Sequence, residues 1–449
     1  MQLLPLVIHD SPDNIIAWKN NSAITRNQFL ADVEQLASLL PANDYVLNVC
    51  SDRYHFSVGV AAAMVTGKIS MLPPTITTTM IQQLSIFAPD VFCLTDSDAC
   101  IINLPQLRYP TQAAQANTEL AIPQIASDLC AAIVFTSGST GAPLPHNKSW
   151  GALVNSVQAE ALRLGLTSKS EPCTLTGTVP PQHMYGFEST VLMAWQSGCA
   201  LNAAQPFYPA DICQALENTP NPRVLISSPV HLRALVDSEL VVPEVTFVVS
   251  ATAPLSESLV HKIEQHCKAP LTEIYGCTET GLIATRRASQ SLSWQLLPEI
   301  ALSFEADKAY ASGGHIPEKT AMSDTIEPLA NGSFLMHGRL ADMVNIAGKR
   351  HSIASLNHLL NSIPGVKDGV FYMPDETSNT RVTRLAAIVV APNMTKAELL
   401  KALRKHIEPV FLPRPLLLVE ALPRNNSGKL PRTTLQALLN QASDLREAF

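Results

Sequence analysis

Strand-like apolar runs alternate with helical patterns through most of the chain, and this alternation limits what it can fold into. Its strand-like runs are short, whereas the helical stretches repeat their apolar residues at a period near 3.6. The runs and stretches are Val91 to Leu94, Ala131 to Phe135, Trp150 to Leu164, Pro172 to Val179, Val224 to Ser227, Val245 to Ser250 and Ser256 to Cys267. The alternation predicts an α/β fold with parallel sheets and helices on their faces.

The pattern changes toward the C-terminus. After about Ser289, short strands around glycine and proline, such as Gly332 to His337, predict a small β subdomain. Beyond a boundary near residues 340–342 comes a compact α+β unit of roughly 105 residues, a normal domain size. Its expected helices and strands are 355–362, 366–373, 384–390, 395–406 and 416–419. We therefore expect one domain over residues 1–340 and a second over residues 341–449.

Composition excludes several classes of protein. With 449 residues the chain is too long for one hydrophobic core, and a hydrophobic fraction of 46% with 15% charged residues excludes disorder. Its longest apolar runs, Val58 to Val65 and Leu385 to Ala391, are too short to span a membrane. Nine cysteines without a Cys-x-x-Cys pair, and an N-terminus unlike a signal peptide, predict a cytoplasmic protein without disulfides or a zinc site.

Charge is distributed unevenly along the chain. The formal net charge is −7, but from residue 340 onward there are 14 Lys and Arg against 9 Asp and Glu. The first 339 residues hold 17 Lys and Arg against 29 Asp and Glu. An acidic body with a basic C-terminal part is unlike a nucleic-acid-binding protein, although the C-terminal part suits an anionic partner. Drift in surface charge is the alternative explanation.

The segment Thr136-Ser137-Gly138-Ser139-Thr140-Gly141 directly follows the strand-like run that ends at Phe135. Glycines let backbone amides approach an anion, and the hydroxyl groups add uncharged donors. The segment therefore predicts a phosphate-binding loop, although a surface loop rich in serine and glycine has the same composition. It matches neither Gly-x-x-x-x-Gly-Lys-Ser/Thr nor Gly-x-Gly-x-x-Gly, so a nucleotide would be held in a third way.

Three segments further along the chain carry side chains suited to nucleotide chemistry. The stretch Tyr275-Gly276-Cys277-Thr278-Glu279 combines an aromatic ring, a hydroxyl and a carboxylate, and carboxylates are usual partners of magnesium on ATP. A strand-end turn with a solvated glutamate is the simpler alternative. The other two segments are Gly338-Arg339 and Asn426-Ser427-Gly428-Lys429-Leu430-Pro431. In the last, Gly428 and Pro431 restrict the lysine more than solubility requires.

These segments, in this order and with Asp324 between them, resemble the acyl-adenylate-forming superfamily of acyl- and aryl-CoA synthetases, peptide-synthetase adenylation domains and beetle luciferases. Each motif is weak alone, but together they span nearly the whole chain and are highly specific. The resemblance implies an α/β fold with a large N-terminal domain of two α/β lobes plus a β subdomain, and a small mobile α+β C-terminal domain. It implies an AMP-forming ligase that activates a carboxylic acid with ATP, releases pyrophosphate, and transfers the acyl group to a thiol.

The resemblance also implies how the nucleotide is held. The segment 136–141 would grip the β- and γ-phosphates of ATP, and Tyr275 with Gly276 would lie against adenine. Ala251-Thr252-Ala253 would line the same slot. Thr278 would contact the α-phosphate, and Glu279 would bind Mg²⁺.

Further roles follow from the same resemblance. Asp324 would accept hydrogen bonds from the ribose hydroxyls, and Arg339 would donate from the other side. Lys429 would bridge the substrate carboxylate and the α-phosphate, where charge develops. The C-terminal domain would rotate about a hinge after Gly338-Arg339, which withdraws Lys429 before the thiol attacks. The candidate catalytic residues are Lys429, Thr278, Glu279 and His183.

The phosphate loop departs from the family pattern. That pattern ends in Pro-Lys-Gly, whereas this chain has Pro143-Leu144-Pro145, with Leu144 in place of the lysine. We expect Lys148 to supply the missing cation, because Pro143 and Pro145 stiffen the segment and could aim it. A simply exposed Lys148 is the alternative.

The acyl pocket is expected beside His183, Tyr185 and Gly186, a segment that resembles hydroxycinnamate and other aryl-CoA ligases. A histidine here also occurs in fatty acyl enzymes, and a core histidine is the structural alternative. The opposite wall is expected to consist of small residues, namely Ser227, Ser228, Gly276 and Gly281. Their size would leave room for a flat ring or a chain, and the segment offers no acidic anchor for an α-amino group. We therefore expect an aryl or fatty acid rather than an amino acid.

The thiol acceptor is either CoA or the phosphopantetheine of an acyl carrier protein. The basic C-terminal part favours an acidic carrier protein. The compact chain also resembles the ligases that load carrier proteins in fatty-acid-like, polyketide or aryl-polyene pathways. ATP and Mg²⁺ are the expected cofactors, and a monomer or homodimer is the expected state. Leu144 suggests a second function, that of a nucleotide-binding regulator without catalysis, which the retention of Lys429 opposes. Nothing specific favours a luciferase-type oxygenase.

Overall fold

The computed structural model describes residues 2–116, 118–137, 143–167, 172–305, 308–330, 332–339, 343–346, 349–374, 384–424, 430 and 434–440. The strands are β1 Leu3–Pro5, β2 Ile15–Lys19, β3 Ser22–Thr25, β4 Tyr45–Asn48, β5 Ile69–Leu72, β6 Phe92–Thr95, β7 Gln106–Arg108, β8 Gln124–Ala126, β9 Cys130–Ser137, β10 Pro143–Ser149, β11 Thr174–Gly177, β12 Ala200–Asn202, β13 Arg223–Ser227, β14 Phe247–Ser250, β15 Leu271–Cys277, β16 Gly281–Arg286, β17 Trp294–Leu296, β18 Ala301–Glu305, β19 Lys308–Gly313, β20 Ile316–Ala321, β21 Asp324–Pro328, β22 Ser333–Arg339, β23 Met343–Ile346, β24 Lys349–Ser352, β25 Asp368–Tyr372, β26 Ala386–Val390 and β27 Leu416–Leu418. The helices are α1 Arg26–Leu39, α2 Arg53–Val65, α3 Thr78–Phe87, α4 Trp150–Leu164, α5 Met184–Gly186, α6 Met193–Ser197, α7 Pro209–Glu217, α8 Pro229–Asp237, α9 Glu257–Cys267, α10 Ile353–Ser362 and α11 Lys396–Leu403. A π-helical turn at Phe187–Leu192 joins α5 to α6, and a 3₁₀ turn lies at Pro409–Phe411.

Local sequence explains where several of these helices begin and end. Thr25 caps α1 by accepting a hydrogen bond from the Gln28 amide at 3.2 Å. Ser149 and Ser256 cap α4 and α9 in the same way. Helix α4 ends at Gly165, whose φ of +72° is the left-handed conformation that glycine adopts without strain. These caps fall where the sequence predicts the helices to start.

Two sheets form the larger part of the molecule. The first has six strands in the order β10-β9-β5-β4-β6-β7, parallel except for β10, which pairs antiparallel with β9 at the sheet edge. The second has eleven strands in the order β21-β22-β17-β16-β15-β14-β13-β11-β12-β2-β3. Its central strands β15, β14, β13, β11, β12 and β2 are parallel, and antiparallel strands extend it on both sides. Such mixed sheets are common in α/β proteins.

The remaining strands form smaller sheets. Strands β18-β19-β20 make a three-stranded antiparallel sheet in the region where a β subdomain is expected after residue 289. The segment Gly332 to His337, expected in that subdomain, instead contributes to β22 of the eleven-stranded sheet. Near the C-terminus, β25-β26-β27 form another three-stranded sheet with α10 packed on β25. Helix α11 begins with a capping box in which Thr395 and Glu398 exchange hydrogen bonds. The α/β class, the two α/β lobes and the smaller α+β part are therefore confirmed.

The buried apolar side chains divide into separate clusters. Three clusters contain residues from Leu6 to Phe334 among their fully buried members, and two contain residues from Val344 to Leu439. The expected boundary at residue 340 lies between these groups and remains a prediction. Among the described residues, no helix is long and apolar enough to cross a bilayer.

Candidate active site

The carboxyl ends of four neighbouring parallel strands carry most of the expected site residues. Strands β15, β14, β13 and β11 lie side by side, and register pairs Ser227 with Ser250 and Ser250 with Glu273. The segments that follow these strands are 276–281, 251–252, 227–228 and 178–186. Ligands of open α/β sheets bind in the crevice at this end of the strands. The fold thus brings together residues that lie up to 103 positions apart, from 178 to 281.

The hairpin between β15 and β16 turns tightly at residues 277–280. A Cβ on Gly276 would lie 2.2 Å from the Gly281 carbonyl oxygen, and Gly281 has a φ of +70°. Only glycine fits both conditions. The Cys277 amide donates to the Thr280 hydroxyl at 3.4 Å across the turn. The turn itself therefore requires the two glycines that the sequence analysis places in the acyl pocket, whose lining role remains a prediction.

Tyr275 and Asp324 are brought into direct contact. The Tyr275 hydroxyl donates to the Asp324 carboxylate at 2.5 Å, and the Tyr275 ring packs 5.5 Å from the Trp294 ring. Strand pairing places the backbone of Arg339 opposite Asp324. Three residues that the family resemblance assigns to the nucleoside are thus neighbours in the fold.

A buried ion pair that the sequence analysis did not identify supports this hairpin. Glu273 is 2% exposed and accepts two hydrogen bonds from Arg286, at 2.8 and 3.1 Å. It also accepts one from the Leu255 amide at 2.9 Å. The Arg286 guanidinium lies 4.5 Å from the centre of the Trp294 ring. Glu273 directly precedes the Tyr275 motif, and a charged residue inside a strand-like run is the signal that could have revealed it.

Glu279 lies between the two sheets. Burial raises the pKa of its carboxyl, but hydrogen bonds from Cys277 and from its own backbone amide, together with His146 and Lys148, lower the pKa below its usual value. The His146 Nε2 atom lies 3.9 Å from the Glu279 carboxylate and 2.9 Å from the Thr136 hydroxyl. An ionised carboxylate therefore stands close to the start of the phosphate loop.

Lys148 crosses from the first sheet to the second. Its ammonium donates to the Thr278 carbonyl and, at 3.5 Å, to the Glu279 carbonyl. The side chain is 9% exposed, and burial lowers the pKa of its amine, opposed by Glu188, Cys277 and Glu279. The alternative of a solvent-exposed lysine is wrong. Supply of a cation to the phosphates is not supported by this geometry, because both hydrogen bonds go to backbone carbonyls.

The expected acyl segment packs against the end of β13. The Tyr185 hydroxyl donates to the carbonyls of Ser227, at 3.0 Å, and Val249, at 3.3 Å, and burial raises its pKa well above the usual value. His183 caps α5, with its Nδ1 atom accepting from the Tyr185 amide at 3.3 Å. A Cβ on Gly186 would lie 2.1 Å from the Pro180 carbonyl oxygen. His183, Tyr185, Gly186 and Ser227 are therefore placed together, whereas contact with an acid remains a prediction.

The other residues near this end of the sheet have structural partners or strained backbones. The Ser228 hydroxyl lies 2.9 Å from His231 Nδ1 at the start of α8. Thr252 follows Ala251 at the end of β14 with a φ of +80°, an uncommon conformation for a β-branched residue. Such strain clusters at ligand-binding positions. Gly138, Ser139, Thr140, Gly141 and Lys429 lie outside the described residues, as do the side chains of Ser137 and Arg339.

The C-terminal part reaches the large part through arginine contacts. Arg233 on α8 donates to the Lys367 carbonyl at 2.5 Å and lies 3.4 Å from the Asp368 carboxylate. Arg424 donates two hydrogen bonds of 2.8 Å to the same carboxylate. Arg424 directly precedes residues 425–429, which include Lys429. Asp368 therefore links Arg424, the residue before that segment, to helix α8 of the large part.

Metal binding at this site would rest on few protein ligands. No group of three or more His, Cys, Asp or Glu side chains suited to a metal ion occurs in the part of the chain that the structure describes. Mg²⁺ is usually held by one or two carboxylates together with substrate phosphates and water. The ionised Glu279 carboxylate near Thr136 fits that requirement.

Comparison with known proteins gives consistent matches. Residues 8–307 match the family described as AMP-binding enzyme, and residues 356–429 match its C-terminal domain. A 4-coumarate–CoA ligase of Halorhodospira halophila is 31% identical over 307 residues, which cover 66% of this chain and 73% of that protein. A 4-coumarate–CoA ligase of Rhodobacter capsulatus is 30% identical over 241 residues, or 54% of this chain and 60% of that protein.

Solved structures show the same fold over nearly the whole chain. An O-succinylbenzoate Coenzyme A synthetase from Bacillus subtilis, in complex with AMP, has a TM-score of 0.81 at 18% identity and covers 97% of this chain and 98% of that one. The ATP-bound MatB from Rhodopseudomonas palustris has a TM-score of 0.80 at 17% identity, with 96% of each chain covered. The sequence match over residues 8–307 covers more than half of the chain. The chain therefore belongs to the AMP-binding enzyme family.

Proposed function

We propose that the protein is an ATP-dependent ligase that joins a carboxylic acid to a thiol through an acyl-adenylate. The observation that carries this proposal is the meeting of two hairpins. The first hairpin presents Tyr275 bonded to Asp324. Its Glu279 lies beside His146 of the second hairpin, and His146 contacts the Thr136 hydroxyl. This arrangement offers a nucleoside site and a phosphate site at adjacent positions.

The chemistry assigned to the described residues follows from their groups. The Asp324 carboxylate accepts hydrogen bonds and suits ribose hydroxyls, while Tyr275 offers a ring face to a base. The Thr278 hydroxyl suits a phosphate oxygen. Mg²⁺, when held by Glu279, would neutralise charge on the phosphates. Lys429 is proposed to meet the α-phosphate and the acid, where negative charge develops.

The acid is proposed to be aromatic. The coumarate ligases described above are joined by a 4-chlorobenzoate–CoA ligase of an Arthrobacter species, 26% identical over 351 residues and 68% of this chain. Tyr185, which with His183 resembles the pair of aryl-CoA ligases, contacts Ser227 at the end of β13. A fatty acid is the other candidate substrate.

The cytoplasm remains the predicted location of the protein.

The decisive experiment is acid-dependent exchange of pyrophosphate into ATP. Hydroxycinnamates, benzoates and medium-chain fatty acids are supplied one at a time, with a reaction lacking acid as the control. We expect exchange that depends on an aromatic acid and on Mg²⁺. No exchange with any acid by a protein that binds ATP would contradict the ligase assignment.

A catalytically impaired nucleotide-binding regulator is the second candidate function. The observation that favours it is Leu144, which is 54% exposed on the phosphate hairpin where the family pattern has a lysine. The exchange assay separates the two functions, because a regulator binds ATP without exchanging pyrophosphate.

Two further assays address the later steps. Free CoA and an acidic acyl carrier protein, offered side by side, identify the acceptor, and the basic C-terminal part favours the carrier protein. Acylation of CoA alone would contradict that preference. Lys429→Ala is expected to abolish exchange but to spare thioester formation from supplied acyl-adenylate. Equal loss of both steps would contradict the assignment of Lys429 to adenylation.

A further inference from the structure

Lys148 lies on the strand whose lysine is missing from its usual place. Residues 144, 146 and 148 share one face of β10 because side chains alternate along a strand. Leu144 and Lys148 are four positions apart on the strand, a separation of about 13 Å. The ammonium of Lys148 is bound to the Thr278 carbonyl. A lysine at position 148 is therefore not placed as a lysine at position 144 would be.

The ammonium of Lys148 contacts the backbone of the 277–280 turn. It donates to the Thr278 carbonyl, and it lies 3.5 Å from the Glu279 carbonyl. Among the charged groups that raise the pKa of its amine against burial, the largest influence is the buried Glu188, whose carboxyl accepts a 3.0 Å hydrogen bond from the Ser156 hydroxyl. Lys148 thus occupies a polar cluster below the 277–280 turn.

The peptide group between Thr278 and Glu279 connects this cluster to the site. A trans peptide is planar, so its carbonyl and its amide point in opposite directions. The Thr278 carbonyl accepts from Lys148, and the Glu279 amide on the same peptide hydrogen-bonds the Glu279 carboxylate. Lys148 therefore contacts the carbonyl end of this peptide, and the amide end interacts with the Glu279 carboxylate.

We propose that Lys148 is a positioning residue that orients Glu279 through the Thr278–Glu279 peptide and does not itself contact the nucleotide. This inference rests on the proposed function, in which Glu279 holds Mg²⁺ with ATP. It assigns the lysine to the support of the metal ligand, whereas the phosphates are held by other groups.

The chain offers a matched control for this lysine. Lys68, which directly precedes β5 of the first sheet, is also 9% exposed. Its ammonium donates to the Asn43 carbonyl at 2.6 Å. Lys68→Met removes the same kind of buried contact far from the 277–280 turn. Lys148→Met removes it at the turn with a side chain of similar length.

The test is equilibrium binding of ATP with EDTA and with Mg²⁺ present. We expect Lys148→Met to weaken the binding of Mg-ATP about tenfold. The same variant should change the binding of metal-free ATP less than about twofold. Lys68→Met should change neither affinity. An equal loss with and without Mg²⁺ would overturn the inference, because a lysine that touches phosphate acts without metal. Where Lys148→Met does not fold, Lys148→Gln is measured instead: because it keeps one donor for the Thr278 carbonyl, near-wild-type binding of Mg-ATP supports the inference, and an equal loss with and without Mg²⁺ overturns it.

A double-mutant cycle provides the second readout. In the Glu279→Gln background, Lys148→Met is expected to add no further loss of Mg-ATP binding, because the group it positions is gone. The same loss in both backgrounds would overturn the inference. Failure of the proposed function is distinguishable, since the wild-type protein would then show no acid-dependent exchange, whatever the variants bind.

Discussion

Two buried glutamates near the two hairpins show opposite ways of placing a carboxyl inside a protein. Glu273 on β15 is 2% exposed and is held by Arg286 and the Leu255 amide. Glu160 on α4, the helix after the phosphate hairpin, is 1% exposed and accepts one hydrogen bond from Ser189 at 2.8 Å. Its second oxygen has no hydrogen-bond partner among the described residues.

The difference lies in the nearest cation. Glu273 forms an ion pair with Arg286 where the β15–β16 hairpin approaches the site. Glu160 has no ion pair among the described residues, and burial raises its pKa to about 8, so it is protonated at neutral pH. A paired carboxyl thus lies next to the nucleotide residues, and a protonated one lies in the core behind them.

The largest expected loss of stability comes from breaking the charged case. Glu273→Gln leaves Arg286 buried without its partner, which is expected to cost about 3 kcal/mol of unfolding free energy. Urea unfolding measures this loss. The control is Glu305→Gln, which breaks an exposed ion pair with Lys319 and is expected to change stability little. A similar small loss in both variants would show that the buried pair has no special role in the hairpin.

The neutral case is expected to respond in the opposite direction and to depend on pH. The folded pKa of Glu160, about 8, lies above its ordinary value of 4.5, so the folded state binds the proton more tightly. Its stabilising contribution is complete below pH 4.5 and is lost as pH rises through 8. Glu160→Gln, which keeps an acceptor for Ser189, is expected to be more stable than wild type by about 4 kcal/mol at pH 8.

Urea unfolding at pH 5 and pH 8 checks this expectation. The two proteins should differ little at pH 5, because the wild-type carboxyl is then protonated in the folded state. A variant less stable than wild type at pH 8 would mean that the Glu160 carboxyl is ionised and paired in the folded state.

A third carboxylate, Asp368, is paired but only half-buried, and an intermediate effect is expected. Asp368→Asn weakens its contacts with Arg233 and Arg424 and should cost about 1 kcal/mol in stability. It should also slow pyrophosphate exchange, since Arg424 precedes the segment that carries Lys429. Unchanged exchange would show that the contact does not influence that segment.

Sequence reasoning located most elements because their patterns are local. The helix expected at Trp150 to Leu164 is α4, and the helix expected at Ser256 to Cys267 is α9, with Ser256 as its cap. Residues 143–145 are instead expected to form the stiff end of the phosphate loop, because Pro143 and Pro145 restrict the backbone. The structure places β10 at the sheet edge, where a proline without an amide donor is tolerated.

The supports of the candidate site could not be predicted because they depend on contacts between distant residues. Glu273 and Arg286 are 13 positions apart, and Lys148 and Thr278 are 130 apart. Sequence motifs identify Tyr275, Glu279 and Asp324, but they do not show which cation faces which carbonyl. The motifs also do not show that β10 pairs with β9, the pairing that places Lys148 in the fold.

The smallest expected effect tests whether the two hairpin positions are independent. Leu144→Lys restores a cation at an exposed position of β10, opposite Thr136 in the strand register. We expect metal-free ATP to bind about threefold more tightly, with the gain declining at high salt, because the new charge is solvated. The gain should be the same in the Lys148→Met background, since the two positions act on different groups. A gain confined to that background would mean that the two lysines substitute for each other, and that the buried cation serves the phosphates after all.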